Sequence, residues 1–288
     1  MIGNSRLHWA LFVDDTLTAA WDTNHLSAAV VEQLLQDWAS GIMPAAILPP
    51  QLQWEFPSAK RQEAGGRRQE AGGRREAFSS CITGGLLSPR CTSQLPLYIA
   101  SVVPAQTKLW QNYPTAQVIT LADLPLQELY PTLGIDRALA VLGAGETYGY
   151  PVLMIDAGTA LTFTGANAQR QLIGGAILPG LGLQLKSLAQ KTAALPATQL
   201  PSQLPTRWAM ETPGAIESGV IYTVLAGIQD FIANWQQQFP DTQIALTGGD
   251  SDLLLKYLQV KFPETAAQII ADPHLIFRGM GKLIINNY

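Results

Sequence analysis

Two stretches of this chain follow the same order: strand, small-residue turn, strand, then helix, strand and helix. A pattern run approximately twice over 288 residues constrains the fold more than any single motif, because each run must bury its own apolar face. The first run opens with Gly3-Asn4-Ser5 as a turn and Leu7 to Val13 as β-type residues, and Asp14-Asp15 is a second turn signal. This predicts an N-terminal hairpin whose leading strand has almost no residues before its turn. Ser27 to Ser40 carries apolar residues at helical spacing (Val30, Val31, Leu34, Leu35, Trp38), with Ser27 placed to cap the helix. Strands are expected at Leu97 to Val103 and Val118 to Leu121. In the second run, strands are expected at Val152 to Asp156, Leu161 to Thr164, Leu172 to Leu178 and Gln243 to Leu246. Helices are expected at 136–143, 181–193, 215–239, 251–258 and 277–286. The fold class is α/β, with duplicated mixed-sheet halves at 1–115 and 116–288.

One segment does not fit this pattern. Arg61-Gln62-Glu63-Ala64-Gly65-Gly66-Arg67 recurs unchanged from Arg68 to Arg74. Paired glycines at this period make a poor helix, and no apolar positions recur to make a coiled coil. The reading is a mobile surface insertion near 57–93 in the first half. The net charge of -4 gives no sign of a general nucleic-acid or membrane-surface binder, so neither partner is expected. A small anionic ligand therefore needs local donors. Cys81 and Cys91 are too few for a disulfide framework or a four-ligand zinc site, and read as free thiols of a reducing cytoplasm. Met1 leads directly into Ile2-Gly3-Asn4 with no basic or apolar leader, and no apolar run approaches the ~20 residues that span a bilayer. A cytoplasmic location is expected.

Four motifs carry possible chemistry. Asp156-Ala157-Gly158-Thr159 lies where one strand ends and another begins. A carboxylate at a strand tip can hold a cation, and the glycine and threonine offer close approach, an amide and a hydroxyl to an anion. An ordinary hairpin turn has the same composition. Thr247-Gly248-Gly249-Asp250 stands between a strand and a helix, as a phosphate or adenosine cradle or as a generic turn with Asp250 as N-cap. Gly134-Ile135-Asp136-Arg137 opens a helix, as a general base beside an anion binder or as a cap with a salt bridge. Gly174-Gly175 flanks a strand, where glycines also serve only to relieve packing. No Walker motif competes. Together, two strand-turn-strand units and a late Gly-Gly turn are similar to the phosphate and adenosine segments of the sugar kinase, heat-shock-70 and actin superfamily, which implies a two-lobed actin-like ATPase (ribonuclease H-like) fold.

Within that superfamily the chain resembles type III pantothenate kinases, which phosphorylate pantothenate with ATP in coenzyme A biosynthesis. The matching segments are Gly3-Asn4-Ser5, Ser101-Val102-Val103-Pro104, Gly134-x-Asp136-Arg137, Asp156-Ala157-Gly158-Thr159-Ala160-Leu161-Thr162, Gly174-Gly175-x-Ile177-x-Pro179-Gly180, Thr192-Ala193-x-Leu195-Pro196 and Thr247-Gly248-Gly249. The resemblance implies that Asp136 is the general base and that Tyr130, Gly134, Ile135, Asp136, Arg137 and Thr192 contact pantothenate. It implies ATP contacts at Gly3, Asn4, Ser5, Arg6, Gly158, Thr159, Gly248 and Gly249, with Mg2+ on the phosphates. It implies a monovalent cation, K+ or NH4+, at Asp156, and a homodimer with Thr192 near its interface. The family's opening Asp-x-Gly-Asn-Thr differs here, since the Asp position falls on Met1 and the threonine is Ser5. Three readings follow: an active pantothenate kinase, an impaired homologue that binds or regulates, and a superfamily kinase for a sugar or acetate.

Overall fold

The computed structural model describes residues 1–13, 16–40, 82–83, 86–87 and 96–286. The repeat at 61–74, both cysteines and the Asp14-Asp15 turn lie outside the described residues, as does the expected insertion apart from four of its residues. The chain divides into two units, Met1–Thr120 and Leu121–Tyr288.

In the first unit, β1 (Leu7–Val13) pairs with β2 (Thr16–Thr23) antiparallel, Leu7 opposite Thr23 and Val13 opposite Thr16. The first residues do form a rudimentary leading strand. Ile2 bridges Leu7 antiparallel and Ser101 parallel, and its amide donates to the Ala100 carbonyl at 2.7 Å. Helix α1 (Ala28–Ala39) follows, with Ser27 Oγ accepting from the Val30 amide as the sequence predicts. Val30 itself is half exposed, so the buried stripe narrows to Val31, Leu34 and Leu35. A short hairpin, β3 (Ile82–Thr83) and β4 (Leu86–Leu87), precedes β5 (Leu97–Ile99). Strand β5 is shorter than predicted, since beyond Ile99 only Ser101 keeps a bridge, to Ile2; Pro104 then opens a helix, α2 (Pro104–Trp110), that the sequence reading does not contain. Strand β6 (Ala116–Val118) pairs parallel to β5. The core joins Ile2, Leu7, Ile99 and Trp110 to the buried face of α1, and Trp9 stands edge-on to Trp38 and Trp110.

After a 3-10 turn at Leu121–Asp123, the second unit contains α3 (Ile135–Tyr148), β7 (Val152–Ala157), β8 (Ala160–Ala166), β9 (Leu172–Pro179), α4 (Leu181–Lys191), α5 (Thr212–Gln238), β10 (Gln243–Thr247), α6 (Ser251–Lys261), α7 (Pro263–Ala266), β11 (Ile269–Ala271) and α8 (Leu275–Asn286). Its sheet has the order β11-β10-β7-β8-β9. Strands β7, β8 and β9 form an antiparallel meander, and β10 and β11 run parallel to β7. The first unit repeats this plan: an antiparallel run from Ile2 through β1 and β2, with parallel β5 and β6 on the other side of Ile2. The duplication read from the element order is therefore real at the level of strand topology.

Alternation along β7 covers both faces. Leu153 and Ile155 join the cluster built with α5 and α6, while Val152 and Met154 are buried on the side of α3. Helix α5, at 27 residues, is long and apolar enough to cross a membrane by composition. Glu217 and Asp230 interrupt its apolar run, and its buried residues Ile216, Val220, Ile221, Val224, Ile228 and Ile232 belong to the core of this unit. On the other face α8 packs along α3 at a close crossing, where a β-carbon on Gly143 would collide with the Leu275 carbonyl and one on Gly279 with the Leu139 carbonyl. Alanine in an open helix is worth ~1 kcal/mol over glycine. At Gly143 the collision wins: Gly143→Ala is expected to lose about 1–3 kcal/mol, read as a lower urea midpoint at unchanged slope.

Candidate active site

The register of the second sheet puts a row of polar residues on the α3 face. Asp156 on β7 lies opposite Thr162 on β8 and beside Thr247 on β10, and Thr162 in turn lies opposite Ile177 on β9. Residues directly across a ladder share a face. One step back along the strands, Met154, Thr164 and Gly175 make the next row.

Arg137, near the start of α3, lies over that second row. Its guanidinium is buried, and donates from Nε to Thr164 Oγ1 (3.0 Å), from Nη1 to the Tyr130 hydroxyl (2.9 Å) and from Nη2 to the Phe163 carbonyl (2.9 Å). All three acceptors are neutral. No carboxylate among the described residues pairs with it. Gly175 makes the arrangement possible, since a β-carbon there would meet both Nη2 and the Phe163 carbonyl.

Asp136 precedes it in the first turn of α3, half-buried, with Oδ1 accepting from the Arg137 amide at 2.8 Å. Gly134, the N-cap, leaves space for that carboxylate. Asp156, at the tip of β7, feels it. Burial, and then repulsion from Asp136, push the Asp156 carboxyl up to about 7. Gly248 (φ +97°) brings its backbone against the Asp156 carboxylate, where a side chain would collide with Oδ1 and the positive φ alone favours glycine.

Other predicted residues fall around this pair or away from it. Gly158 is held by its amide to the Ala160 carbonyl at 3.1 Å, and Thr159 and Gly249 are exposed at the rim. Asp250 begins α6 without a side-chain cap bond, lines a small recess with Gly158 and Gly180, and is raised by burial. Its expected capping role is thus not performed by the side chain. Ile135 is buried. Thr192 is not brought to Arg137: it is exposed at the end of α4, with Oγ1 donating to the Leu188 carbonyl at 2.8 Å. In the first unit, Asn4, Ser5 and Arg6 are exposed on a turn closed by the Gly3 amide to the Arg6 carbonyl at 3.0 Å, and His25 Nε2 meets the Gly3 carbonyl at 2.9 Å. Met1 is buried in the ladder beside His8, so no carboxylate occupies that strand tip. The sequence reading gives no role to Thr162, which it quotes only as the end of a matching segment, or to Thr164. Their signal is two hydroxyls, two residues apart, on an otherwise apolar strand.

Two halves of one mixed-sheet topology, with glycine turns and a carboxylate at a strand tip, are the architecture of the actin-like, ribonuclease H-like fold class. Comparison with known proteins narrows this. Residues 67–234 match the family model for type III pantothenate kinase. A type III pantothenate kinase of Nostoc sp. is 47% identical over 285 residues, covering 98% of this chain and 92% of that protein. Another, from Thermosynechococcus vestitus, is 37% identical over 98% of this chain and 88% of its own length. Among solved structures, a Baf family protein of Campylobacter jejuni aligns with 25% identity and a TM-score of 0.51, over 68% of this chain and 84% of that one. The chain belongs to the type III pantothenate kinase family.

The raised Asp156 carboxyl has a stability consequence. The folded state holds this proton to higher pH than the unfolded chain does, so stability is greatest below the unfolded carboxylate range and falls as pH rises from about 4 towards 7. In buffers free of potassium and ammonium, Asp156→Asn is expected to melt above the parent at pH 8, with the two melting temperatures converging near pH 4.

Proposed function

We propose that this protein transfers the γ-phosphoryl group of ATP to pantothenate, giving 4'-phosphopantothenate in the first step of coenzyme A biosynthesis, with Asp136 as the general base. The observation that carries the reading is the juxtaposition, at the start of α3, of a half-buried carboxylate and a buried guanidinium with no carboxylate partner among the described residues. Asp136 accepts the proton of the substrate's primary hydroxyl as that oxygen bonds to the γ-phosphorus and the bond to the bridging oxygen of ADP breaks. Three of the five Arg137 N–H donors are used within the fold, which leaves donors for the anionic substrate. The Tyr130 hydroxyl accepts from Arg137, so its own proton is free to be donated. Gly134 and Ile135 contribute through the backbone.

Gly158, Thr159, Gly248 and Gly249 are read as nucleotide contacts of the second unit, and Gly3, Asn4, Ser5 and Arg6 as those of the first; the sequence pattern sets the lobes at 1–115 and 116–288. The family's reaction uses ATP with a divalent metal, here read as Mg2+. That ion is read as held mainly by the phosphates of ATP. The monovalent ion, K+ or NH4+, is assigned to Asp156, and the buried Thr162 hydroxyl facing that position, without a hydrogen-bond partner among the described residues, fits such an ion.

A homodimer belongs to the same reading. The second unit exposes Trp208 (83%) and Met210 (100%), and Met210 lines a groove of about 440 Å3 with Leu195, Ala215 and Ile216. Thr192, bonded to the Leu188 carbonyl and the Leu195 amide, would then serve the partner's site. A cytoplasmic location, with neither nucleic acid nor membrane as partner, completes the proposal.

Asp136→Asn is expected to lower pantothenate-dependent ADP release by ~100- to 10,000-fold at an unchanged melting temperature; near-parental turnover would remove Asp136 from its role. No pantothenate-dependent release from the parent protein would favour the impaired homologue. Trp208→Glu combined with Met210→Glu is expected to sediment as a monomer where the parent sediments as a dimer, and a parent that sediments as a monomer would end the homodimer reading.

A further inference from the structure

Thr162 stands in the middle of β8, is 7% exposed, and its hydroxyl has no hydrogen-bond partner among the described residues. A buried hydroxyl without a partner is destabilising, and a valine of the same shape would avoid the penalty. Valine also suits a strand at least as well. Packing alone therefore does not account for threonine here. The comparison within the strand is direct. Thr164, two residues on and on the same face, accepts from Arg137 Nε at 3.0 Å, so its hydroxyl is committed to the fold. That of Thr162 is not.

What Thr162 faces follows from the register. It lies directly across the ladder from Asp156, and directly opposite residues on one face have Cβ atoms about 4.5–5.5 Å apart. On its other side is Ile177, which is 65% exposed, so the row opens to solvent at β9. Asp156 is repelled by Asp136 and flanked by Thr247 and by Gly248, whose backbone crowds Oδ1. One carboxylate with a neutral hydroxyl beside it is an oxygen-only donor set of low total charge. Such a set suits a large, weakly hydrated monovalent cation better than a divalent ion, which favours more carboxylates or phosphates.

We propose that Thr162 Oγ1 is a ligand, beside the Asp156 carboxylate, of the monovalent cation used by this kinase. The proposal rests on the assignment of that ion to Asp156. The hydroxyl offers a lone pair to K+, or accepts a hydrogen bond from NH4+, and so gains in the loaded site the partner that the fold withholds. It also fixes the ion on the β8 side of Asp156, where the positive charge offsets the repulsion between the two carboxylates.

The test compares the parent with Thr162→Val, Thr162→Ser and Asp156→Asn. Melting temperature is followed against KCl at constant ionic strength with choline chloride, with and without a non-hydrolysable ATP analogue; K+ activation of turnover is measured in parallel. A ligand bound only by the folded state raises the melting temperature with its concentration. The parent should respond to KCl. Thr162→Val should need about tenfold more KCl for the same rise and for half-activation, and Thr162→Ser should stay within about twofold. In choline chloride alone Thr162→Val should melt at or above the parent. Thr162→Val matching the parent in KCl while Asp156→Asn loses its response would overturn the Thr162 proposal and leave Asp156 in place. A parent with no KCl response in melting or turnover would overturn both. Thr162→Val melting well below the parent in choline chloride, or failing to fold, would show a structural role for the hydroxyl and overturn the proposal as well.

Discussion

Asp136 and Asp156 are held near enough that one charge raises the proton affinity of the other, and the rest of the second unit is arranged to keep them there. Nothing in folding alone favours this. Two carboxylates brought together under partial burial oppose the compact state, and a chain selected only for stability would part them. The opposing force comes from elements that cannot easily move. Asp156 ends a strand with neighbours on both sides, and Asp136 is in the first turn of a helix that packs on that sheet and against α8. Arg137 ties the two layers by bonding to Thr164 and to the Phe163 carbonyl of β8. Perturbed carboxylates supported in this way are typical of sites built for chemistry.

Much of this was legible in the sequence, for identifiable reasons. The strand Val152 to Asp156 is too apolar to be anything but buried, and its Asp-Ala-Gly-Thr ending marks where the chain turns. Ser27 announces its helix by capping chemistry, which is local. Non-local facts were harder. Tyr130 reaches Arg137 across a loop, and the spacing of seven residues does not reveal that contact. Gly175 reads as a packing glycine, and only the register shows what it accommodates, a guanidinium from a helix 38 positions earlier. Thr162 and Thr164 looked like ordinary β-formers. The ladder separates them into one committed hydroxyl and one that is not. Strand β11 and helix α2 were missed because three-residue strands and seven-residue helices carry too little periodicity to be recognised.

The duplication shows how one topology can carry unequal chemistry. Each unit has an antiparallel run beginning at a central strand, and two parallel strands beyond it. In the second unit the central strand ends in a carboxylate with a raised proton affinity. In the first, the corresponding strand is Met1 to Gly3, with apolar Met1 and Ile2 buried in the ladder and the polar groups confined to the exposed turn that follows. The shared fold supplies a strand tip beside a glycine-containing turn in both. The side chains decide that one tip bears a carboxylate, while the other leads into a turn with backbone amides, Asn4, Ser5 and the cationic Arg6.

This asymmetry bears on how an acidic protein handles anionic reactants. A net charge of -4 spread over 288 residues would repel ATP and pantothenate weakly, and at physiological salt that field fades within about 8 Å of each charge. Capture then depends on donors met at contact distance. On the proposed reading Arg137 is suited to this because its partners are neutral: a carboxylate there would cancel the charge before the substrate arrived, whereas a threonine hydroxyl, a tyrosine hydroxyl and a carbonyl orient the guanidinium and leave it positive. Burial strengthens what remains, since a charge in a less polarisable setting attracts an anion more strongly than the same charge in water. The carboxylates then become an advantage. On the proposed reading, the substrate's anionic end is held by Arg137 and its hydroxyl end approaches Asp136, while the neighbouring Asp156 faces the cation.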